Sequence, residues 1–304
     1  MASNQVGYIG SGPLFIGKRS GGKMRYVGQV PEFKLDVTEE TKELKDYVRG
    51  FGLAESISFI SKVEASITFA SADINNLVLA LRGVEDATSA IPVTSEAHTA
   101  YPGGLVELQG VSPKSVSVSV APATWVATTA YTIGQIVKPA TGTHFYKCKV
   151  AGTSSGTEPA WATNGTDTSD GATLKWTDMG TMALTVSEYE INSAGLFIPA
   201  TSAKIDEAGT PVEVSYTTSA GYNIQALVGA GEEYRVVFAG KNFARNGKGL
   251  KVVMYRVTFS PTKELGLISD EFAKLTLTAK VLSDDTKTGT DISAFCQIDM
   301  EFVG

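Results

Sequence analysis

Three tryptophans, Trp125, Trp161 and Trp176, all fall in one segment of the chain and none occurs elsewhere. With Tyr131 and Tyr146 they crowd into "WVATTAYTIGQIVKPATGTHFYKCKVAGTSSGTEPAW" and "DGATLKW", among Gly, Thr and Ser. Large amphipathic rings on a small β module are the platforms on which sugar rings stack. Trp125, Tyr131, Tyr146, Trp161 and Trp176 are therefore the candidate glycan-binding residues. A module of this size has few large apolar groups to spare from its own core. Most of these rings are accordingly expected to be structural, with one or two left for a ligand.

Other chemistry is thinly represented. The two histidines, His98 and His144, have no Ser–His–acid pattern around them and read as surface or turn residues. Two cysteines, Cys148 and Cys296, stand far apart and do not supply a closed thiolate set for zinc. "GYIGSGPLFIG" has glycines but no strand before it and no helix after it, so it lacks the context of a phosphate loop. "EETKELKD" at 39–46 and the pair Asp284–Asp285 read as solvated charged segments. The expectation is no catalytic residues, no metal and no cofactor: not an enzyme. A formal net charge of −6 argues against gripping nucleic acid through its phosphates, and the basic runs are short and broken by glycine. No run approaches the roughly 18 apolar residues of a membrane span, and the N-terminus lacks the pattern of a secretory signal. Folding in a reducing cytoplasm, without membrane insertion, is expected.

The elements that must position these residues are mostly strands. Residues 1–30, rich in glycine, read as an extended arm or set of turns. In "ESISFISKVEASITFA", Ile57, Phe59, Val63, Ala65, Ile67 and Phe69 fall on one side of a strand, with a bulge expected near Ile60 and Ser61. "SADINNLVLALRG" then changes period. Ile74, Leu77, Val78 and Leu81 form a helical stripe, with Ser71 as N-cap and Gly83 as the left-handed exit. "SVSVSV" at 115–120 alternates cleanly, and "MALTVSEYEI" resumes strand character after Gly180. Residues 122–180 are thus bracketed by two strands that can pair without them, the pattern of a module set into a hairpin loop. On that reading, deleting 122–180 leaves assembly intact. Later strands, with "KNFARNGKG" as a hairpin turn, complete a β-sandwich or barrel-like body.

Outside 122–180, the order of a Gly-rich arm ("YIGSGPLF…YVGQVPEFKL"), "ELKDYVRGFG", "ASITFASADINNLVLALRG", "EYRVVFAGKN" and "VVMYRVTFSPTKELGLISDEFAKLTLTAKVL" resembles the major tail tube protein of long-tailed bacteriophages. The insert separately resembles the carbohydrate-binding domains of chitinases, matching at Gly134, Tyr146, Cys148, Gly152, Pro159, Trp161, Gly171 and Trp176. These resemblances imply a mainly β, tail-tube-type sandwich or barrel with one short helix over 1–121 and 181–304, carrying a small all-β domain at 122–180. They imply a virion protein, assembled in the host cytoplasm, whose hexameric rings stack into the tail tube through which DNA passes without specific binding. Implied partners are other copies of the chain, the tape measure, tail terminator and tail tip proteins, and surface glycans. The arm at 1–30 and a loop such as 37–55 would join stacked rings, the helix near 72–82 would lie outside the barrel, and the insert would decorate the tube. The alternative is a virion-associated carbohydrate-binding protein of the tail tip or fibre.

Overall fold

A computed structural model describes residues 8–270 and 274–301, and the chain is mainly β with one α-helix among them. It divides into two compact units, 1–86 with 222–304, and 87–221. The division therefore falls outside the expected boundaries at 121/122 and 180/181.

The first unit is built on a nine-stranded antiparallel sheet. Its strands run in the order Arg25–Tyr26, Leu14–Lys18, Glu233–Asn242, Lys248–Phe259, Leu275–Val281, Leu53–Phe69 and Glu32–Lys45. Gly10–Ser11 also pairs with Glu233–Asn242, and Cys296–Met300 pairs with Lys248–Phe259 beyond the end of Leu275–Val281. Alternating residues Val63, Ala65, Ile67 and Phe69 meet Leu275, Leu277 and Ala279 in one buried core, as period-two patterning requires. Phe33, on the terminal strand, lies 5.7 Å from Phe238 in the middle of the sheet, so the sheet curls over its own core.

The expected loose arm is corrected here. Residues 1–7 lie outside the described residues, but Leu14–Lys18 is a full member of the sheet, with Leu14 and Ile16 in the core. Arg19 then fastens this strand with ion pairs to Glu233 (3.2 Å) and Asp284 (2.9 Å). The turn at Asn246 and Gly247, both at positive φ, closes the Glu233–Phe259 hairpin as its residue types predict.

The helix spans Ile74–Leu81. Asp73, not Ser71, is its N-cap, accepting a 2.8 Å bond from the Asn76 N–H, and Arg82 rather than Gly83 takes the left-handed exit. Its buried face is Asn76, Leu79 and Ala80, one step round from the expected stripe. Asn76 is accommodated because its amide donates to the Val27 and Ser71 carbonyls (both 2.9 Å) and accepts from Arg25 (2.8 Å).

In the second unit, Pro92–Ala100, Thr210–Thr217 and Lys114–Val120 form one three-stranded sheet, and Glu190–Asn192, Gly195–Phe197 and Leu105–Glu107 another. The aromatic segment makes its own five-stranded sheet, in the order Ala123–Thr124, Ile136–Lys138, His144–Val150, Leu174–Thr181 and Thr168–Asp170. Of the expected strand after Gly180, the last two residues open Glu190–Asn192, and the first part is reduced to a single bridge, Ser119 to Ala183, flanked by bonds from Val120 N–H to the Met182 carbonyl and from Leu184 N–H to the Val118 carbonyl. The flanks do meet, yet the segment is not a self-contained passenger. Phe145 points away from the aromatic cluster and is fully buried in the other core, among Val120, Leu184, Ile205 and Val212. Lys147 pairs with Asp206 on the same side.

Candidate functional site

Two places hold what the sequence singled out, or should have. The first is the aromatic cluster. The structure brings all five aromatic residues together, around Val137, Cys148 and Leu174. Trp176 stacks edge-on with Tyr131 at 4.9 Å and lies 5.9 Å from Trp161, which in turn packs on Tyr146 at 4.3 Å. Trp176 is 0% and Tyr146 1% exposed, so neither offers a face to a ligand. That removes two of the five candidate glycan residues; Trp125, Tyr131 and Trp161 remain partly exposed.

The polar edges of these rings are also spoken for. Asp170, 2% exposed, accepts from the Trp125 indole (2.8 Å) and the Trp176 indole (3.1 Å) on one oxygen, and from the Ser155 N–H (2.8 Å) and hydroxyl (2.7 Å) on the other. Burial by itself pushes the Asp170 carboxyl up, but these hydrogen bonds together outweigh it and hold the pKa below its usual value. The Trp161 indole donates to Glu158 (2.8 Å), the Tyr146 hydroxyl to the Ala162 carbonyl (3.1 Å), and the Val126 N–H to the Tyr131 hydroxyl (2.9 Å). A buried carboxylate with four donors is the keystone of a small core.

Neither histidine lies in a turn. His98 sits on a strand with its ring 3.5 Å from Glu96, and His144 on another with Nδ1 2.8 Å from Asp178. Both cysteines are free, and burial pushes both thiols up. Among the described residues no three His, Cys, Asp or Glu side chains cluster as metal ligands.

The second place is the hairpin of Glu32–Lys45 and Leu53–Phe69, strands of 14 and 17 residues against the usual 3–10. Leu275–Val281 supports Leu53–Phe69 only as far out as Glu64. Beyond that the hairpin pairs with nothing but itself among the described residues, and every residue from 36 to 62 except Asp46 is exposed. The charged run 39–46 is the outer part of its first strand. Asp46 accepts from the Val48 and Arg49 N–H groups (2.9 Å each) to shape the tip, where Tyr47, Val48 (92% exposed) and Phe51 face solvent.

The expected bulge is present: Thr38 opposes Lys62 but Glu39 opposes Ile60, leaving Ser61 as the extra residue. Its consequence overturns the expected single apolar side. The one-residue slip moves Ile57 and Phe59 to the face opposite Val63, Ala65 and Ile67. Outside the bulge, one face of the ribbon carries Leu44, Ile57 and Phe59, set directly across from Glu55, Lys42 and Glu40. The other, continuous with the core side, carries Glu39, Thr41, Glu43, Ser56 and Ser58, with Ile60 across from Glu39 and Leu53 across from Lys45. The signal available in the sequence was the broken alternation at Ile60–Ser61 combined with the length of the run.

A curled antiparallel sheet with a free two-stranded ribbon, and a second unit holding an aromatic core, define a mainly β protein. The chain belongs to the family described as protein of unknown function UCP028589, whose model matches residues 7–159 and 161–299. The match runs through the aromatic segment as well as the sheet around it. No curated protein matches the chain.

Proposed function

We propose that the chain is a structural, non-catalytic subunit that assembles with copies of itself, a virion protein of the tail-tube type whose curled sheets join into the wall of a tube that conducts DNA. One observation carries this reading. A two-stranded ribbon in water is marginally stable on its own, and this one displays Leu44, Tyr47, Val48, Phe51, Ile57 and Phe59 with no cover among the described residues. Its outer edge, along Glu32–Lys45, is an unpaired row of backbone groups, the kind of edge that natural proteins protect by pairing or covering. Ring formation covers both. The tail-tube-type sandwich or barrel, the hexameric ring, the contacts with tape measure, terminator and tip proteins, and assembly in a host cytoplasm all belong to this proposal. Electron microscopy of the purified chain across protein concentration and salt tests it: rings or tubes are expected, and particles that stay monomeric throughout would sink it.

A second reading, glycan binding in a virion-associated protein of the tail tip or fibre, rests on the partly exposed rings of Trp125, Tyr131 and Trp161 at the rim of the cluster. A glycan array probed with the full chain decides it. Binding lost on Trp161→Ala supports this reading, and no binding at millimolar sugar ends it.

A further inference from the structure

The bulge at Ser61 has its counterpart in the strand triplet beside it. Two structures leave the core of the first unit in the same direction: the ribbon, and a tongue made of Glu233–Asn242, Lys248–Phe259 and Cys296–Met300. Along the tongue, Val236 and Met254 are in the core. On the same face, one step outward, Phe238, Val252 and Ile298 lie side by side, and after them Leu250 and Met300. The apolar face therefore runs on past the core, and Ile298 and Met300 are each 55% exposed. A groove of about 880 Å³, also lined by Phe33 and Leu35, follows this face.

Among the described residues, the Leu44, Ile57 and Phe59 side chains do not cover this groove. The side of the ribbon continuous with Phe33 and Leu35 is the one bearing Glu39, Thr41 and Glu43, with Ile60 as the apolar residue nearest the bulge, because the slip at Ser61 has turned Ile57 and Phe59 outward. Among the described residues, one molecule thus has Leu44, Ile57 and Phe59 turned away from itself, between Glu40, Lys42 and Glu55, and an apolar groove that those three side chains do not reach. Charge matches as well. On the ribbon face bearing Leu44, Ile57 and Phe59, two acidic residues, Glu40 and Glu55, stand against one basic, Lys42, net −1. The tongue's turn, 241 to 251, holds four basic residues and no acid. Lys248 and Lys251 pair with Glu301 and Asp299, which leaves Lys241 and Arg245 without ion-pair partners among the described residues.

We propose that the Leu44–Ile57–Phe59 face of one copy's ribbon seats in the groove along Val252 and Ile298 of a second copy. The Glu39–Thr41–Glu43 face stays in water. Donor and acceptor surfaces differ, so the contact is head-to-tail and closes into a ring or grows as a filament. This rests on the self-assembly reading and specifies its interface.

The test uses full-length chains in a Cys296→Ser background, one carrying Ile57→Cys and the other Ile298→Cys. Mild oxidation of the mixture is expected to give a disulfide-linked dimer that neither chain forms alone. In parallel, Phe59→Asp is expected to lower the assembled fraction at least tenfold by light scattering, and Ser58→Asp, on the wet face, to leave it within twofold. Wild-type chain that never assembles overturns the self-assembly reading and this one together. Wild-type chain that assembles, but gives no mixed cross-link or is as sensitive to Ser58→Asp as to Phe59→Asp, overturns this interface alone.

Discussion

The aromatic sheet and the ribbon invert the roles their sequences suggest. Residues 125–176 carry the side chains with the richest recognition chemistry, and the fold spends nearly all of it internally: two rings fully buried and the three indole N–H groups on carboxylates. The ribbon carries ordinary strand residues, and the fold leaves them bare on both faces. Recognition potential depends less on residue type than on what remains unsatisfied after folding. By that measure the ribbon leaves more of its surface unsatisfied than the tryptophans do.

The contrast can be broken from either side. Deleting 122–180 with a short Gly/Ser bridge removes Phe145 from the other core of the second unit, and the expected outcome is loss of soluble protein. Phe145→Ala isolates that contribution, about 3–5 kcal/mol in chemical unfolding. Soluble, folded deletion protein would restore the passenger view. Asp170→Ala strips the Trp125 and Trp176 indoles and Ser155 of their acceptor and is expected to cost about 3 kcal/mol, read by tryptophan fluorescence.

Acid should act on the same carboxylate. Its pKa is lower folded than unfolded, so its contribution is present above the ordinary value of 3.8 and is lost as pH falls through the folded pKa. The aromatic fluorescence transition is expected to lose stability below about pH 4, less steeply in Asp170→Asn; equal slopes would remove Asp170 from the keystone role. Smallest of all, Phe59→Asp is expected to shift the unfolding free energy of the dilute chain by no more than about 0.5 kcal/mol, since the ring has no intramolecular cover. A larger loss would mean that the ribbon is part of the folded core.

Much of the strand pattern was legible because period-two alternation is imposed directly by burial, as at Val63–Phe69 and Leu275–Val281. Even the bulge was visible at Ile60–Ser61. Its effect was not, because alternation counts positions along one strand, whereas the face each residue takes depends on register with the partner. Leu14 and Ile16 were hidden for a different reason: flanking glycines made a core strand look like a loose arm. The five aromatics were correctly grouped, but their burial depends on Asp170 and Ser155, small polar residues whose role appears only in three dimensions. Phe145 was unreadable as a core residue because its core is built from segments on either side of the aromatic stretch.

Hydrogen–deuterium exchange on the full-length chain, dilute and concentrated, tests the central contrast most directly. Backbone amides of 38–60 are expected to exchange quickly when dilute and to become protected at least tenfold on concentration, while those of 144–150 and 174–181 stay protected throughout. Ribbon amides that exchange at one rate at every concentration, or aromatic-sheet amides that gain protection in their place, would contradict the account.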